Sequence, residues 1–439
     1  MNAVTHFTVW LMQRYLPDAF ILAVLLTVVI MLMGTTLGGH TPFEMVDYWG
    51  KGFSALFKFA MQMTLVLVTG YALALTPPVR KLLDRLTDIP KTPPQALAMT
   101  ALISFFGCYL NWGFGLVIGA ILAREMGRKV QGLHFPLVVA AAYSAEIVRG
   151  PSSSIPLVVA TPGHFMEQLT GIIPVTETLY SGWNLLLTGL ILAALIGLYL
   201  SIRPKPESVI SYEGHAESPN RAAAALQEPE TFSEKIEHSR VMNYVLAVMP
   251  ALYLAGYFMK KGFDLNLDVV ILIFLLLSLL LHKHPMALLD AVKEAVVSSR
   301  GIILQFPLYA GIAGMMTESG LVMVVADWFI EIATPETFPV LTFLSAGLVN
   351  IFIPSGGGQW AIQGPVIIEA AKSLHADIPQ TVMAFAWGDA WTNQIQPFWA
   401  LPLLGVAGLS AKHIMGYCVV WLMLSGMVIG GVFLVLTFI

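Results

Sequence analysis

Apolar residues arrive in blocks along this chain. Uninterrupted or nearly uninterrupted apolar runs cover 16–37, 53–75, 95–122, 183–202, 241–259, 269–281, 301–316 and 414–439. Most are close to the ~20 residues a helix needs to cross a hydrocarbon core. The first run lacks a small-residue cleavage site and is long for a signal peptide, so it reads as a retained span. A polar stretch, 203–240, carries mixed charge, Pro and Ser, and reads as a flexible connector between two halves.

Composition agrees with the blocks. Apolar residues make up 57% of the 439 and charged residues only 11%, against roughly 25% charged in a soluble domain. Too little polar surface remains to cover a globule in water. The two cysteines, Cys108 and Cys418, both lie inside apolar runs and read as small hydrophobes.

Lys and Arg mark the cytoplasmic side of short loops. Arg14, the Arg80/Lys81/Arg85/Lys91 group, Arg124/Arg128/Lys129, the 203–240 loop, the His282–Arg300 segment and Lys412 then fall inside, which places the N-terminus in the cytoplasm and the C-terminus in the periplasm. Two segments break the alternation. The segment 95–129 is flanked by basic clusters at both ends, so it enters from the cytoplasm and returns there. The segment 338–372 enters and returns on the opposite side. Both read as re-entrant hairpins.

Compared with itself at an offset of about 240 residues, the chain shows a repeat of opposite orientation. Each half holds a span with an intramembrane Gln (Gln62, Gln305), a short interfacial piece (79–89, 321–332), a hairpin with an Asn-containing tip (Asn111, Asn350), and a span interrupted halfway, at Arg149–Ser154 and at Asn393–Pro397. The expected fold is an all-α polytopic membrane protein of two inverted repeats, with about nine full spans plus two hairpins.

Non-helical backbone survives in hydrocarbon only where it is buried in protein or lines a wet cavity, because each unpaired group costs several kcal/mol. Gly and Pro mark these interruptions. Helix N-termini exposed there attract an anion, and free carbonyls and helix C-termini suit a cation. The substrate candidates are Asn111, Trp112, Gly113, Arg149, Ser152, Ser153, Ser154, Ser355, Gly356, Gly357, Gly358, Gln359 and Gln396. The cation candidates are Asn111, Gly115, Glu146, Asn350, Ser355, Asp389, Asn393 and Gln394.

Ionisable groups inside spans are costly enough that function is the first hypothesis. Glu146 and Arg149 stand three apart and can pair with each other. Alternatively, Arg149 meets a substrate carboxylate, for which its planar fork is shaped. Asp389 has no basic neighbour in sequence, so it holds a cation or takes a proton. No phosphate loop, nucleophile elbow or zinc motif is present, and an enzyme is not expected.

The run Pro354-Ser-Gly-Gly-Gly-Gln-Trp, then Gln363-Gly-Pro and Gln396-Pro-Phe-Trp-Ala-Leu-Pro, with Asn111-Trp-Gly-Phe-Gly and Ala160-Thr-Pro-Gly in the first half, resembles the bacterial short-chain fatty acid transporter family. The resemblance extends from Arg14-Tyr-Leu-Pro-Asp to Ile414-Met-Gly-Tyr-Cys. It implies uptake of short monocarboxylates such as butyrate or acetoacetate at the inner membrane. More distantly, the layout is similar to the ion transporter superfamily, including divalent-anion sodium symporters. That likeness implies Na⁺ or H⁺ coupling, a homodimer and an elevator motion. The scaffold would comprise 1–90 and 241–336, joined by the 203–240 linker to a transport domain. The latter would comprise 91–202 (hairpin 95–129, broken helix 135–168, helix 179–202) and 337–439 (hairpin 338–372, broken helix 379–410, helix 414–438). The implied partners are a short carboxylate and the lipid bilayer, with no nucleic acid and no cofactor beyond a coupling ion such as Na⁺. The alternative is a cation/proton antiporter without an organic substrate.

Overall fold

Proline sets where many of the helices begin. The computed structural model describes residues 2–151, 153–164, 166–212, 231–262, 267–354 and 356–437, and its regular secondary structure there is helical. The first half runs α1 Asn2–Tyr15, α2 Ala19–Thr36, α3 Pro42–Phe53, α4 Phe57–Ala74, α5 Pro77–Thr87, α6 Pro93–Leu110, α7 Trp112–Lys129, α8 Phe135–Ser144, α9 Ser154–Val159, α10 Glu167–Thr170 and α11 Gly182–Ser201. The second runs α12 Phe232–Glu237, α13 Arg240–Lys261, α14 Leu267–Leu281, α15 Pro285–Ser298, α16 Arg300–Glu318, α17 Leu321–Glu331, α18 Phe338–Asn350, α19 Gly356–Ser373, α20 Ile378–Asn393, α21 Pro397–Ala407 and α22 Ala411–Leu436. Pro occupies the first or second position of α3, α5, α6, α8, α15, α18, α20 and α21. Its fixed φ suits a helix start, and its missing N–H would have no partner there anyway.

Three single helices, Gly182–Ser201, Arg240–Lys261 and Ala411–Leu436, are long and apolar enough to cross a membrane among the described residues. Two bent pairs add to them: Ala60–Ala74 with Pro77–Thr87, bent by 80°, and Pro285–Val297 with Ile302–Glu318, bent by 46°. The remaining apolar helices are shorter, because several apolar runs are interrupted along the chain. The run 53–75, for example, is divided at Ser54–Leu56. The broken helix expected over 135–168 ends at Val159, where Pro162 and Gly163 (φ +80°) turn the chain away.

Large apolar side chains are exposed along whole helix faces. On α2 these are Ile21, Val24, Leu25, Val28, Val29 and Leu32, and on α13 they include Val245, Val248, Met249 and Leu252. Surface this apolar and this continuous needs an apolar medium. In contrast, α8 is buried on every side, and α20 is buried over most of its length. A helix apolar all round belongs at the centre of the protein, and these two flank the functional site.

The two legs of the first hairpin, α6 and α7, meet at Asn111 and pack without a gap. A Cβ on Gly115 would lie 2.2 Å from the Cys108 backbone nitrogen, so only glycine permits this approach. In the second hairpin, α18 and α19 are separated by residues 351–355. The glycines Gly356–Gly358, which read as part of an unwound tip, instead form the first turn of α19. The connector is also less loose than its composition suggests. Arg203–Tyr212 lies on the first hairpin and α8, where the Ile210 N–H donates to His134 Nδ1 (3.0 Å) and the Ile210 carbonyl accepts from the Phe135 N–H (2.8 Å). Residues 213–230 of that connector lie outside the described residues.

Candidate functional site

Four interruptions of helical backbone come together near the C-terminal ends of α8 and α20. The first is the tip at Asn111, a single extended residue that ends α6 and starts α7; its side chain accepts the Phe114 N–H at 3.1 Å. The second is Val148–Ser153, between the one-turn Ala145–Ile147 helix and α9. The third is the second hairpin's tip, and the fourth is Gln394–Gln396, between α20 and α21.

Each tip touches both broken helices. A Cβ on Gly150 would lie 2.1 Å from the Tyr109 carbonyl oxygen, so the first break rests on the first hairpin. Trp112 packs edge-on against Trp399, with ring centroids 5.0 Å apart. On the other side, a Cβ on Gly356 would lie 2.9 Å from Asp389 Oδ2 and 3.2 Å from Ser154 Oγ. The second hairpin therefore closes over Asp389 and the start of α9.

Glu146 is fully engaged. Its carboxylate accepts from Arg149 Nη2 (3.4 Å), Asn393 Nδ2 (3.2 Å) and Gln394 Nε2 (3.2 Å). A buried carboxylate is tolerated when paired and hydrogen-bonded in this way. The Glu146–Arg149 pairing foreseen from their spacing is thus present, and Arg149 Nε has no partner among the described residues.

Asparagine 350 ties the second hairpin to the second break. The two hydrogens of its Nδ2 are shared among the Asp389 carbonyl (2.6 Å), Asn393 Oδ1 (2.7 Å) and Thr392 Oγ1 (3.0 Å), and its backbone carbonyl accepts from Gln396 Nε2 (2.5 Å). The side-chain amide donors of Asn350, Asn393, Gln394 and Gln396 are engaged, while Arg149 Nε and several acceptors remain. Asn350 Oδ1, Asp389 Oδ1, Gln394 Oε1 and Gln396 Oε1 are buried with no partner among the described residues. Unpartnered buried oxygens, one of them on a carboxyl group, are the kind of ligand a small hard cation takes.

The other sequence candidates divide. Ser153 Oγ accepts the Gly150 N–H at 2.9 Å and holds the first break. Gly113 and Gly115 are buried in the first turn of α7, while Ser154 and Gly358 are exposed at the rim. Gln359 points elsewhere: its Nε2 donates to the Ala346 carbonyl (2.8 Å) and Gln363 Oε1 (2.9 Å), between the legs of the second hairpin. Ser152 and Ser355 lie outside the described residues. Two contributors were missed in the sequence. Thr392 Oγ1 donates to the Gly347 carbonyl at 2.7 Å, and the Tyr143 hydroxyl donates to the backbone carbonyls of Asn393 and Gln396. Tyr143 gave one signal, a phenol in an otherwise Ala- and Val-rich apolar stretch.

Apolar helices interrupted around a buried polar cluster define a multi-pass membrane protein of the transporter class. Residues 1–437 match the short chain fatty acid transporter family, and the chain belongs to that family, whose members are transporters and not enzymes. It is 42% identical over 432 residues to a protein of Escherichia coli strain K12, covering 98% of each chain, and 41% identical over 428 residues to one of Haemophilus influenzae Rd, covering 95% of this chain and 96% of that one. Both relatives are provisionally named short-chain fatty acid transporters. Among solved structures, the Alcanivorax borkumensis YdaH transporter aligns with a TM-score of 0.44 and 16% identity, over 96% of this chain and 98% of that one.

Proposed function

We propose that this chain imports short-chain monocarboxylates such as butyrate or acetoacetate across the bacterial inner membrane, coupled to Na⁺ or H⁺. The observation that carries the reading is the meeting of four helix interruptions around Asp389, whose Oδ1 and three neighbouring amide oxygens lack partners. Glu146, Arg149 and Asp389 carry a formal charge of minus one together, so a carboxylate enters this site only in the company of cations. Asn350, Asp389, Gln394 and Gln396 hold the cation. Arg149 and the backbone N–H groups at Ser154 and Gly356–Gly357 face the carboxylate.

On this reading the two halves are inverted repeats. Residues 1–90 and 241–336 form a scaffold, and the hairpins with their broken helices form a transport domain that slides past it in a homodimer. The N-terminus is cytoplasmic and the C-terminus periplasmic. Uptake of radiolabelled butyrate into proteoliposomes, with and without a Na⁺ or pH gradient, tests the proposal. Gradient-driven uptake is the expected result, and no uptake of any short carboxylate under either gradient refutes it.

The unpartnered Asp389 also favours a second reading, a cation/proton antiporter without organic substrate. Na⁺/H⁺ exchange that proceeds at full rate with no carboxylate present would select it.

A further inference from the structure

Among the described residues, the charged contacts that hold the first hairpin to its surroundings lie at one end, where Arg124 Nη1 also reaches the Val406 carbonyl at 3.5 Å. Near the C-terminal end of α7, Arg124 Nη1 donates to the Tyr71 hydroxyl at 3.1 Å, and that hydroxyl donates onward to Glu294 Oε1 at 2.6 Å. The Arg124 guanidinium also lies over the Tyr71 ring, 5.7 Å from its centroid. One turn further on, Lys129 Nζ pairs with Asp84 Oδ1 (3.0 Å) and Asp88 Oδ1 (2.9 Å) and donates to the Asp84 carbonyl (3.0 Å). Arg124 and Lys129 belong to the hairpin. Tyr71 lies in α4, Asp84 in α5 with Asp88 just beyond it, and Glu294 in α15. The second hairpin is attached differently, through apolar packing: Ile330 and Ala333 lie against the cluster that holds Phe338, Ile367 and Ile368.

We propose that the Arg124–Tyr71–Glu294 relay and the Lys129 pair form a clasp that fixes the first hairpin to the scaffold, and that its release sets the rate at which the transport domain crosses. The proposal rests on the sliding-domain reading above. Apolar side chains can slide past one another with little change in energy, because one packed surface replaces another. Directional contacts to charged groups cannot, since they are made at one position and lost at the next. The relay is the stronger part, being assembled on a buried tyrosine; the Lys129 pair is exposed and screened by salt. Tyr71 is therefore a positioning residue, acting through Arg124.

The test uses the full-length protein, with Tyr71→Phe to remove the bridging hydroxyl, Lys129→Gln to remove the outer pair, and Lys129→Arg as the conservative control. Hydrogen–deuterium exchange in lipid nanodiscs reads the clasp without any substrate. Both disruptive variants are expected to raise amide exchange across 80–88 severalfold, with Lys129→Arg close to the parent. In proteoliposomes, each should raise the maximal rate of butyrate uptake by about threefold to tenfold, the factor for losing one hydrogen bond of ordinary net strength, with KM little changed. Unchanged exchange in both variants overturns the clasp, whatever the substrate proves to be. Raised exchange with an unchanged or lower maximal rate overturns its role in crossing. Because Lys129 is exposed, its variants keep the test open if Tyr71→Phe does not fold.

Discussion

The Tyr143 hydroxyl reaches from α8 to the break after α20 and donates to the backbone carbonyl of Asn393, with the Gln396 carbonyl 3.2 Å away. One phenol thus supports two carbonyls of an unwound segment buried far from water. Without it, the Asn393 carbonyl would keep only the Gln396 N–H at 3.1 Å and the Gln396 carbonyl would lose its side-chain donor, beside a cluster that already has four unpartnered oxygens.

Tyr143→Phe removes that support and keeps the ring. The Gln394–Gln396 segment should lose its fixed geometry, and the cation concentration giving half-maximal butyrate uptake should rise by roughly tenfold, the effect of one buried hydrogen bond. Uptake titrated with Na⁺ and, separately, with pH checks this. A purely structural role would lower the maximal rate and leave the cation dependence in place.

Asp389→Asn removes the anionic member of the orphaned oxygen set and preserves its shape. Cation-driven uptake should fall by at least about tenfold, from loss of a charged ligand. Accumulation against a gradient should disappear while exchange of labelled for unlabelled butyrate persists at a reduced rate. Full accumulation by the variant would show that the cation does not sit at Asp389.

Arg149→Met leaves Glu146 buried without its counter-charge, which should destabilise the protein by about 3–5 kcal/mol. Adding Glu146→Gln should recover most of that loss, because the amide needs no cation. Thermal unfolding followed by tryptophan fluorescence in detergent reads both variants. The double variant should still take up butyrate with a raised KM if Arg149 also meets the carboxylate.

Gly115→Ala forces a methyl group to within 2.2 Å of the Cys108 backbone nitrogen, where no rotamer change can make room. A destabilisation of about 1–3 kcal/mol is expected from overpacking. Gly430, with nothing within 4 Å of its added Cβ, is the matched control, and Gly430→Ala should be neutral or slightly stabilising. The two melting temperatures compare them.

Burial pushes His134 down from its usual value to about 4. Its Nδ1 accepts the Ile210 N–H, so the ring there is neutral, with Nε2 facing the Tyr417 hydroxyl at 2.8 Å. A folded pKa below the unfolded one means that the unfolded state binds more protons, and stability is lost as pH falls. The loss should begin near the ordinary histidine range, about 6.5, and be complete below about 4. Amide exchange at Ile210 and Tyr212 should rise across that window, and His134→Gln should flatten the dependence.

Two of the expected helix breaks, at 149–154 and 393–397, coincide with interruptions in the structure, while the expected unwound Gly356–Gly358 is helical. Gly150-Pro151 and Gln396-Pro397 were visible in sequence because Gly and Pro act on backbone within a few residues of themselves. Apolar run length likewise showed that the chain lives in lipid. The breaks at 351–355 and after Val159 were less legible, because the three glycines at 356–358 accept a helical turn when the packing supplies one.

What the sequence could not decide was which polar groups meet. Glu146 takes Asn393 and Gln394 from 247 and 248 residues away, Asn350 takes Asn393 within the second half, and Gln359 turns inward to Gln363. Local composition determined that helices would be interrupted within apolar stretches and that polar side chains would accompany the interruptions. Only the packing of the Ala145–Ile147 turn and the second hairpin against α20, and of α8 against the first hairpin, decided which donors are consumed and which oxygens are left over. Hydrogen bonds saturate one partner at a time, and the order in which partners are claimed is set by distances in three dimensions.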